Sequence, residues 1–319
     1  MLLLFFSSVA TSQAITYDTT IAGWNVRVTY RPSADSTEGI IFMPGVGEVG
    51  RDAGKLQLYG PHYWLNHGWD GSVVLGNGVH YPILVSIQQP TELSRPSTVK
   101  PVIDGILRRY KIKRNALDGI LRRYKIKRNA LHFTALSQGC WVLNHFLSYK
   151  PSENDFSYMS MVRSMVNVEG MNPADQFGAS LPFPQKMGHW AKRFGGKELG
   201  FEQVHDTRNI NRIISNMNDS VPGSGNLLFT EFGAGGHSNF NDFYNPAQNN
   251  WTLSNPNVLD KKGSVYSSVI AGGQNVWQWM LRQGDTAILG AGSPQGANLP
   301  PVVSAGVDQT ISLPIALVT

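Results

Sequence analysis

The sequence has very little cysteine and little charge, and each shortage excludes a class of protein. The single cysteine, Cys140, rules out an intrachain disulfide. Charged residues make up only 15% of the 319 residues and hydrophobic residues 41%. This balance excludes an intrinsically disordered chain, which needs low hydrophobicity and high net charge. After the first ten residues, no run is long and apolar enough for a membrane helix.

Several ligand-binding patterns are missing as well. No His pair has a metal-ligand spacing such as H-x-x-x-H, and no cluster of His and carboxylates replaces it. The glycine-rich stretch PGVGEVG at 44–50 is not followed by the Gly-Lys-Ser/Thr of a phosphate-binding loop. Its glycine spacing also differs from that of a nicotinamide-binding turn. We therefore expect no metal and no cofactor.

The net charge of +5 comes from a duplicated segment. Residues 104–117 read DGILRRYKIKRNAL, and residues 118–131 repeat this without a change. Each copy holds five basic residues and one Asp, so the two copies contribute +8 and the remainder carries −3. Local basicity without a recognition motif argues against a nucleic-acid partner. We interpret the repeat as a duplication without a function of its own.

The N-terminus and the C-terminus predict additional segments. Residues 1–10 are apolar, and Ser12 and Ala14 provide small residues at −3 and −1 of a signal-peptidase site. We expect residues 1–14 to be a signal peptide, the protein to be extracellular or periplasmic, and no membrane association beyond export. The main domain is predicted over 15–286, followed by a Gly- and Pro-containing linker at 287–299. The final segment, 300–319, begins PPVVSAGVDQTI and resembles the start of a PKD or immunoglobulin-like module.

Strand-like and helix-like runs alternate along the main domain, which predicts an α/β fold with a mostly parallel central sheet between layers of helices. The predicted strands are 24–30, 39–43, 83–88, 132–136, 164–169, 199–204 and 227–232, and the predicted helices are 99–110, 138–149, 209–217 and 276–282.

A candidate nucleophile lies between one of these strands and the next helix. The sequence Ala135-Leu136-Ser137-Gln138-Gly139 fits the strand–turn–helix context of the nucleophile elbow G-x-S-x-G, with Ala135 in place of the first Gly. An ordinary helix N-cap by Ser137 is the alternative. The candidate base is His237, because it lies in a glycine-rich loop that follows the last predicted strand.

Two acidic residues are candidates for orienting His237. This fold requires the chain order serine, acid, base. Asp206 lies 31 residues before His237, which leaves room for one helix and one strand. Asp219 follows the predicted helix and leaves too little chain, so Asp206 is favoured and Asp219 is expected to be a surface turn residue.

The remaining site residues are predicted from their positions relative to Ser137. The oxyanion hole is expected to use the N–H of Gln138 and that of Val46, with Gly45 next in the loop after strand 39–43. Residues 181–196 lie between two predicted strands, and we expect a lid or substrate wall there with His189 and Trp190 facing the site.

These motifs resemble those of the α/β-hydrolase superfamily over about residues 24–285. Within it, PGVGE, YKIKRNALHFTALSQG and GGHSNF resemble secreted bacterial esterases related to feruloyl and acetylxylan esterases and polyhydroxyalkanoate depolymerases. The resemblance implies a serine hydrolase acting on a small or polymeric ester. A serine peptidase, and a non-catalytic carbohydrate-binding or adhesion protein on the same scaffold, remain open, as does the oligomeric state.

Overall fold

The structure is a computed structural model that describes ten stretches of the chain. These are residues 12–32, 37–92, 94–110, 131–148, 157–170, 183–201, 211–221, 227–229, 237–248 and 274–284. The predicted signal sequence up to residue 11, the linker and the C-terminal module start lie outside the described residues. Within these stretches, no helix combines the length and apolarity needed to cross a bilayer.

The centre of the fold is an eight-stranded sheet. Its strand order is β1-β2-β6-β3-β7-β8-β9-β10; β2 pairs antiparallel with β1 and with β6, and every other neighbouring pair of this sheet is parallel. The strands are β1 (Ile15–Ile21), β2 (Trp24–Tyr30), β3 (Gly39–Met43), β6 (Ile83–Gln88), β7 (Leu131–Leu136), β8 (Val162–Val168), β9 (Lys197–Phe201) and β10 (Leu227–Phe229). A separate hairpin pairs β4 (Val73–Leu75) with β5 (Gly78–His80).

Helices cover both faces of the sheet, as expected when parallel strands are joined by crossovers. They are α1 (Gly60–Asn66), α2 (Pro96–Arg109), α3 (Gln138–Ser148), α4 (Ser157–Met161), α5 (Phe183–Phe194), α6 (Asn211–Ser220), α7 (Phe240–Phe243) and α8 (Val276–Gly284). Residues of α2 to α6 contribute to the core on one face, and residues of α7 and α8 to the core on the other. The predicted three-layer α/β fold with a mostly parallel central sheet is thus confirmed.

The central strands are buried because they are packed on both sides. Every residue of β3, β6 and β7 is buried. Their sequences GIIFM, ILVSIQ and LHFTAL are apolar nearly throughout, as is typical of strands covered on both faces. The predicted bounds of β3 and β6 agree with the structure to the residue, and β7 begins one residue earlier than predicted.

Several observed elements are absent from the sequence-based expectation, among them β1 and α5. The edge strand β1, along which exposed and half-buried residues alternate, is absent from the predicted strands. Cleavage after Ala14 would leave β1 complete. The segment 181–196 contains α5, a crossover helix between β8 and β9 that packs on α3 and α6. The prediction of a lid or substrate wall there was wrong, because the apolar side of this helix faces the core.

The start of the first repeat copy is an integral part of the fold. Ile106 and Leu107 are buried in the core, and the Tyr17 hydroxyl donates to the Tyr110 hydroxyl at 2.8 Å. A Cβ atom on Gly105 would lie 2.3 Å from Ile21 Cγ2, so α2 and β1 are in close contact at that glycine. Residues 111–130 lie outside the described residues, whereas Leu131, the last residue of the second copy, begins β7.

We expect that deleting one 14-residue copy leaves the fold intact. Removing either copy produces the same sequence, and that sequence retains both the α2 contacts and the start of β7. The measurement is soluble yield and melting temperature by circular dichroism. A change of less than about 4 °C, equivalent to about 1 kcal/mol or less, is the expected result. Insoluble protein after the deletion would contradict this prediction.

Candidate active site

Ser137 lies in the sharp turn between β7 and α3. Its φ of +50° is left-handed, a conformation that costs a non-glycine residue about 1–3 kcal/mol and recurs at functional sites. Two backbone hydrogen bonds maintain the turn: the Ser137 N–H donates to the Val168 carbonyl at 2.9 Å, and the Cys140 N–H donates to the Ser137 carbonyl at 3.1 Å. The strained turn directs the serine side chain away from both the strand and the helix.

The residues around Ser137 are small because the elbow is crowded. A Cβ atom on Gly139 would lie 2.3 Å from the Met43 carbonyl oxygen, so no side chain fits there. Ala135 takes the place of the usual first glycine and is fully buried. Cys140 follows Gly139, and Gly170 leaves the space that its side chain occupies, because a Cβ atom added to Gly170 would lie 2.5 Å from the Cys140 Cβ. Burial raises the pKa of the Cys140 thiol well above its ordinary value, so this cysteine is not activated as a nucleophile.

The structure brings Ser137 and His237 together although they are 100 residues apart. His237 Nε2 lies 2.7 Å from Ser137 Oγ. On the other side of the imidazole, Nδ1 lies 2.9 Å from Oε2 of Glu169. An Nδ1–H that donates to a carboxylate leaves Nε2 as the acceptor for the serine proton. The three side chains therefore form a continuous series, with a hydrogen bond between Ser137 and His237 and an ion-pair contact between His237 and Glu169.

Glu169 is the carboxylate on His237, and the sequence analysis did not identify it as a site residue. It follows β8 directly, it is fully buried, and its φ is +49°. Its N–H donates to the Phe201 carbonyl of β9 at 2.7 Å, which fixes the backbone in this unusual conformation. Asp206, favoured from chain order, lies outside the described residues. The one local signal for Glu169 in the sequence is its position as the last residue of the predicted strand 164–169, which follows the nucleophile strand along the chain.

Left-handed backbone is concentrated at this site. Among the described residues, four non-glycine residues have a positive φ, and Ser137, Glu169 and Asn239 are three of them. Asn239 precedes α7 and follows His237 by two residues. Each of the three supporting loops is thus held in a conformation that the chain adopts only when its surroundings require it.

The predicted oxyanion residues surround Ser137 in the structure. Gln138 is buried and is the first residue of α3, so its N–H belongs to the positive end of that helix. Gly45 precedes a short 3₁₀ turn, Val46–Glu48, and a Cβ atom on Gly45 would lie 3.2 Å from Ser137 Cβ. Gly45 in the loop after β3 therefore lies directly against the nucleophile, and the second oxyanion donor from this loop stays a prediction.

An aromatic wall borders the site on the side of the base. The His237 and Phe240 rings meet edge to face at 4.9 Å, and the Phe240 and Tyr59 rings do so at 5.6 Å. Tyr59 precedes α1, so the wall joins a loop near the start of the chain to α7. Aromatic edges and faces of this kind provide an apolar boundary for a bound substrate.

The two residues predicted to face the substrate from 181–196 lie elsewhere. Trp190 is fully buried, and its Nε1 donates to the carbonyls of Met159 and Val162 at 3.1 Å each. Val162 begins β8, whereas Ser137 follows the carboxyl end of the parallel neighbouring strand β7. Trp190 therefore lies at the amino ends of the strands, away from Ser137. Its assignment as a substrate residue was wrong for this reason. His189 packs edge-on against Phe194 near the same ends of the strands.

Two further Ser–His contacts are structural. His62 Nδ1 lies 2.6 Å from Ser86 Oγ, and His132 Nδ1 lies 2.7 Å from Ser164 Oγ. All four side chains are buried, and burial lowers the pKa of each histidine to about 3. These imidazoles stay neutral and lack access to a substrate, in contrast to His237, whose side chain is 26% exposed.

A second buried carboxylate lies beside the site on β9. Glu198 Oε1 accepts a hydrogen bond from Asn167 Nδ2 at 3.1 Å, and the Asn144 side chain also lies close to this carboxyl group. Complete burial raises the pKa of Glu198 to about 8. At neutral pH this group is largely a neutral acid, unlike a carboxylate that pairs with an imidazolium.

We expect stability to fall with rising pH because of Glu198. The folded chain retains the Glu198 proton up to about pH 8, whereas the unfolded chain releases it near 4.5, so the contribution is lost as the pH rises through that interval. Glu198→Gln should therefore raise the melting temperature relative to wild type by more at pH 8.5 than at pH 5. The exposed Glu92→Gln is the control. An equal difference at both pH values would contradict the prediction.

The comparisons with known proteins support no more than the fold. No family model matches the chain, and no curated protein sequence matches it. Among the solved structures similar to it, a thermostable esterase is 13% identical with a TM-score of 0.39, over 68% of this chain and 54% of that one. TT1662 from Thermus thermophilus is 14% identical with a TM-score of 0.42, over 71% of this chain and 91% of that one. A ferulic acid esterase is 10% identical with a TM-score of 0.40, over 72% of this chain and 92% of that one. The chain thus spans about half the length of the thermostable esterase. At these values the matches carry no argument about activity.

Among the described residues, no group of three or more His, Cys, Asp or Glu side chains is arranged to hold a metal ion. What the site can do chemically follows from the serine, the imidazole, the carboxylate and the N–H groups of the two loops.

Proposed function

We propose that the protein is a serine hydrolase that cleaves carboxylic esters through an acyl-enzyme. The observation that carries the proposal is the uninterrupted series from Ser137 Oγ to His237 at 2.7 Å and from His237 to Glu169 at 2.9 Å. A nucleophile, a base within hydrogen-bonding distance and a group that orients the base are the parts that such catalysis requires.

In the first half-reaction Ser137 Oγ attacks the ester carbonyl carbon while His237 Nε2 takes the serine proton. The carbonyl oxygen becomes an oxyanion, which the N–H groups of Gln138 and Val46 stabilise. Glu169 holds the imidazole in the productive tautomer and balances the positive charge of the imidazolium. The C–O bond to the alcohol then breaks, and the alcohol leaves with the proton from His237.

In the second half-reaction His237 takes a proton from water, and the hydroxide attacks the acyl-enzyme carbonyl. The tetrahedral intermediate collapses, the bond to Ser137 Oγ breaks, and the serine regains its proton from His237. The products are one carboxylic acid and one alcohol. For the substrate we propose esters attached to plant polysaccharide or polyester chains, in keeping with the motif resemblance described above.

The test combines turnover with covalent labelling. The full chain is assayed on p-nitrophenyl acetate, p-nitrophenyl esters of longer acids and methyl ferulate, and a fluorophosphonate probe is mapped by mass spectrometry. We expect turnover of at least one ester and a label on Ser137. Faster turnover of a peptide anilide would favour the peptidase alternative. Folded protein that neither turns over nor labels, yet binds insoluble polysaccharide, would favour the binding-protein alternative and overturn the proposal.

A further inference from the structure

Four hydrogen bonds hold the loop after β3 in place. Gln88 Nε2 donates to the carbonyls of Glu48 and Asp52 at 2.7 and 2.9 Å. The Gly50 N–H donates to the Gln89 carbonyl at 2.9 Å, and Lys55 Nζ donates to the Gly47 carbonyl at 2.8 Å. These contacts fix the far part of the loop, from residue 47 onward. The part that lies against Ser137 is Gly45, and a different group holds it.

That group is the side chain of Glu48. Glu48 is only 7% exposed, and its carboxylate accepts hydrogen bonds from the Gly45 N–H and from its own N–H. A Cβ atom on Gly45 would lie 3.5 Å from Glu48 Oε2 and 3.2 Å from Ser137 Cβ. Gly45 therefore lies between the Glu48 carboxylate and the nucleophile, and the lack of a side chain allows this double contact.

We propose that Glu48 is a positioning residue for the oxyanion hole. Because its carboxylate takes the Gly45 N–H, which belongs to the Pro44–Gly45 peptide, that N–H is turned away from the substrate and the backbone that enters Gly45 is fixed. The next N–H of the loop, that of Val46, is therefore the donor for the carbonyl oxygen of the substrate. This inference rests on the proposed function, since an oxyanion forms only if Ser137 attacks a carbonyl. It also decides between the two candidate donors of the loop in favour of Val46.

The environment of Glu48 has opposing effects on its pKa, and a negative charge there would not help to bind an oxyanion. Burial raises the pKa of Glu48, whereas the Gly45 hydrogen bond and the positive charge of Lys55 lower it. Tyr59, also adjacent, has a pKa raised by its own burial and by the Glu48 charge. A negative charge close to a developing oxyanion is unfavourable by itself. Glu48 therefore contributes through the hydrogen bond to Gly45 and not through its charge, and its amide analogue should serve nearly as well.

The test compares Glu48→Ala with Glu48→Gln on the full chain. The substrate is the ester turned over by wild type, and a trifluoromethyl ketone, which forms a hemiketal oxyanion with the active serine, is the inhibitor. For Glu48→Ala we expect kcat to fall about 10²-fold with KM within about twofold. The reason is that the Val46 N–H bonds the oxyanion of the transition state and contributes little to binding of the ground-state substrate. The inhibition constant should rise by a similar factor. Glu48→Gln should keep kcat within about fivefold of wild type.

The matched control is Asp52→Asn, a carboxylate-to-amide change at an exposed position of the same loop, which should leave kcat and the inhibition constant unchanged. Melting temperatures show whether each variant folds. If Glu48→Ala does not fold, Glu48→Asp withdraws the carboxylate by one methylene and should lower kcat about tenfold with the same rise in the inhibition constant.

Two outcomes overturn the inference while leaving the proposed function in place. One is a Glu48→Ala (or, in its place, Glu48→Asp) enzyme whose kcat and inhibition constant stay within about twofold of wild type. The other is a Glu48→Gln enzyme as impaired as Glu48→Ala, which would show that charge matters and not the hydrogen bond. A wild-type chain without ester turnover would instead overturn the proposed function, and the inference with it.

Discussion

Ser137→Ala is expected to reduce kcat for ester hydrolysis by about 10⁵- to 10⁶-fold, the largest effect of any single substitution in this chain. The alanine removes the atom that forms the acyl-enzyme, and only the oxyanion donors and substrate binding would remain. The measurement is steady-state hydrolysis of the best ester of the panel, together with the loss of fluorophosphonate labelling. KM and the melting temperature should change little, because Ser137 is a small side chain whose Oγ contacts His237.

Ser86→Ala is the matched control for this substitution. It removes a serine from an equally short Ser–His contact, 2.6 Å from His62, that is buried in the core. We expect its kcat to remain within a few-fold of wild type, with some loss of stability from the unpaired imidazole. Equal losses of kcat for Ser86→Ala and Ser137→Ala, in proteins of unchanged fold, would refute the assignment of Ser137 as the nucleophile.

Glu169→Gln should lower kcat by about 10³- to 10⁴-fold. An amide in this position does not stabilise an imidazolium, and its NH₂ group favours the wrong tautomer by donating to His237 Nδ1. The Glu169 carboxylate is fully buried, 2.9 Å from that nitrogen, so its charge is little screened by solvent. KM should change by less than about threefold, because the interaction develops mainly in the transition state.

Two Asp→Asn variants decide which acid orients His237. Asp219→Asn is the control. Asp219 lies near the end of α6, and this helix connects the carboxyl end of β9 to the amino end of β10. The helix therefore ends at the amino ends of the strands, whereas Ser137 lies at their carboxyl ends. Asp206→Asn tests the residue that chain order favoured. We expect both to retain kcat within a few-fold. A drop of about 10³-fold or more for Asp206→Asn, with Glu169→Gln active, would restore Asp206 as the acid.

The nucleophile and the base were predictable because their signals are local. The elbow needs small residues around a serine between a strand and a helix, and the Cβ position of Gly139, 2.3 Å from the Met43 carbonyl, shows why. His237 was identified from the glycine-rich stretch before it. Such signals come from steric demands within a few residues of the chain, so they can be recognised without the tertiary structure.

The acid and the substrate residues were not predictable in the same way. Glu169 faces His237 because β7 and β8 are neighbours and because a left-handed φ of +49° turns its side chain toward the loop. A chain-order rule places the acid one strand later, which led to Asp206. Trp190 was expected near the substrate from its position between strands, but the direction in which α5 packs places it under the amino end of β8.

Local sequence patterns were sufficient to predict the alternation of strands and helices, the buried central strands, the elbow at Ser137 and the histidine in the last loop. These follow from hydrophobic periodicity and from the steric limits of tight turns, both of which act over short distances along the chain. Three features were visible in the folded molecule alone: the carboxylate that lies against His237, the position of Glu48 behind Gly45, and the place of α5 in the core. Those facts depend on strand order and helix packing, which bring together residues far apart in sequence.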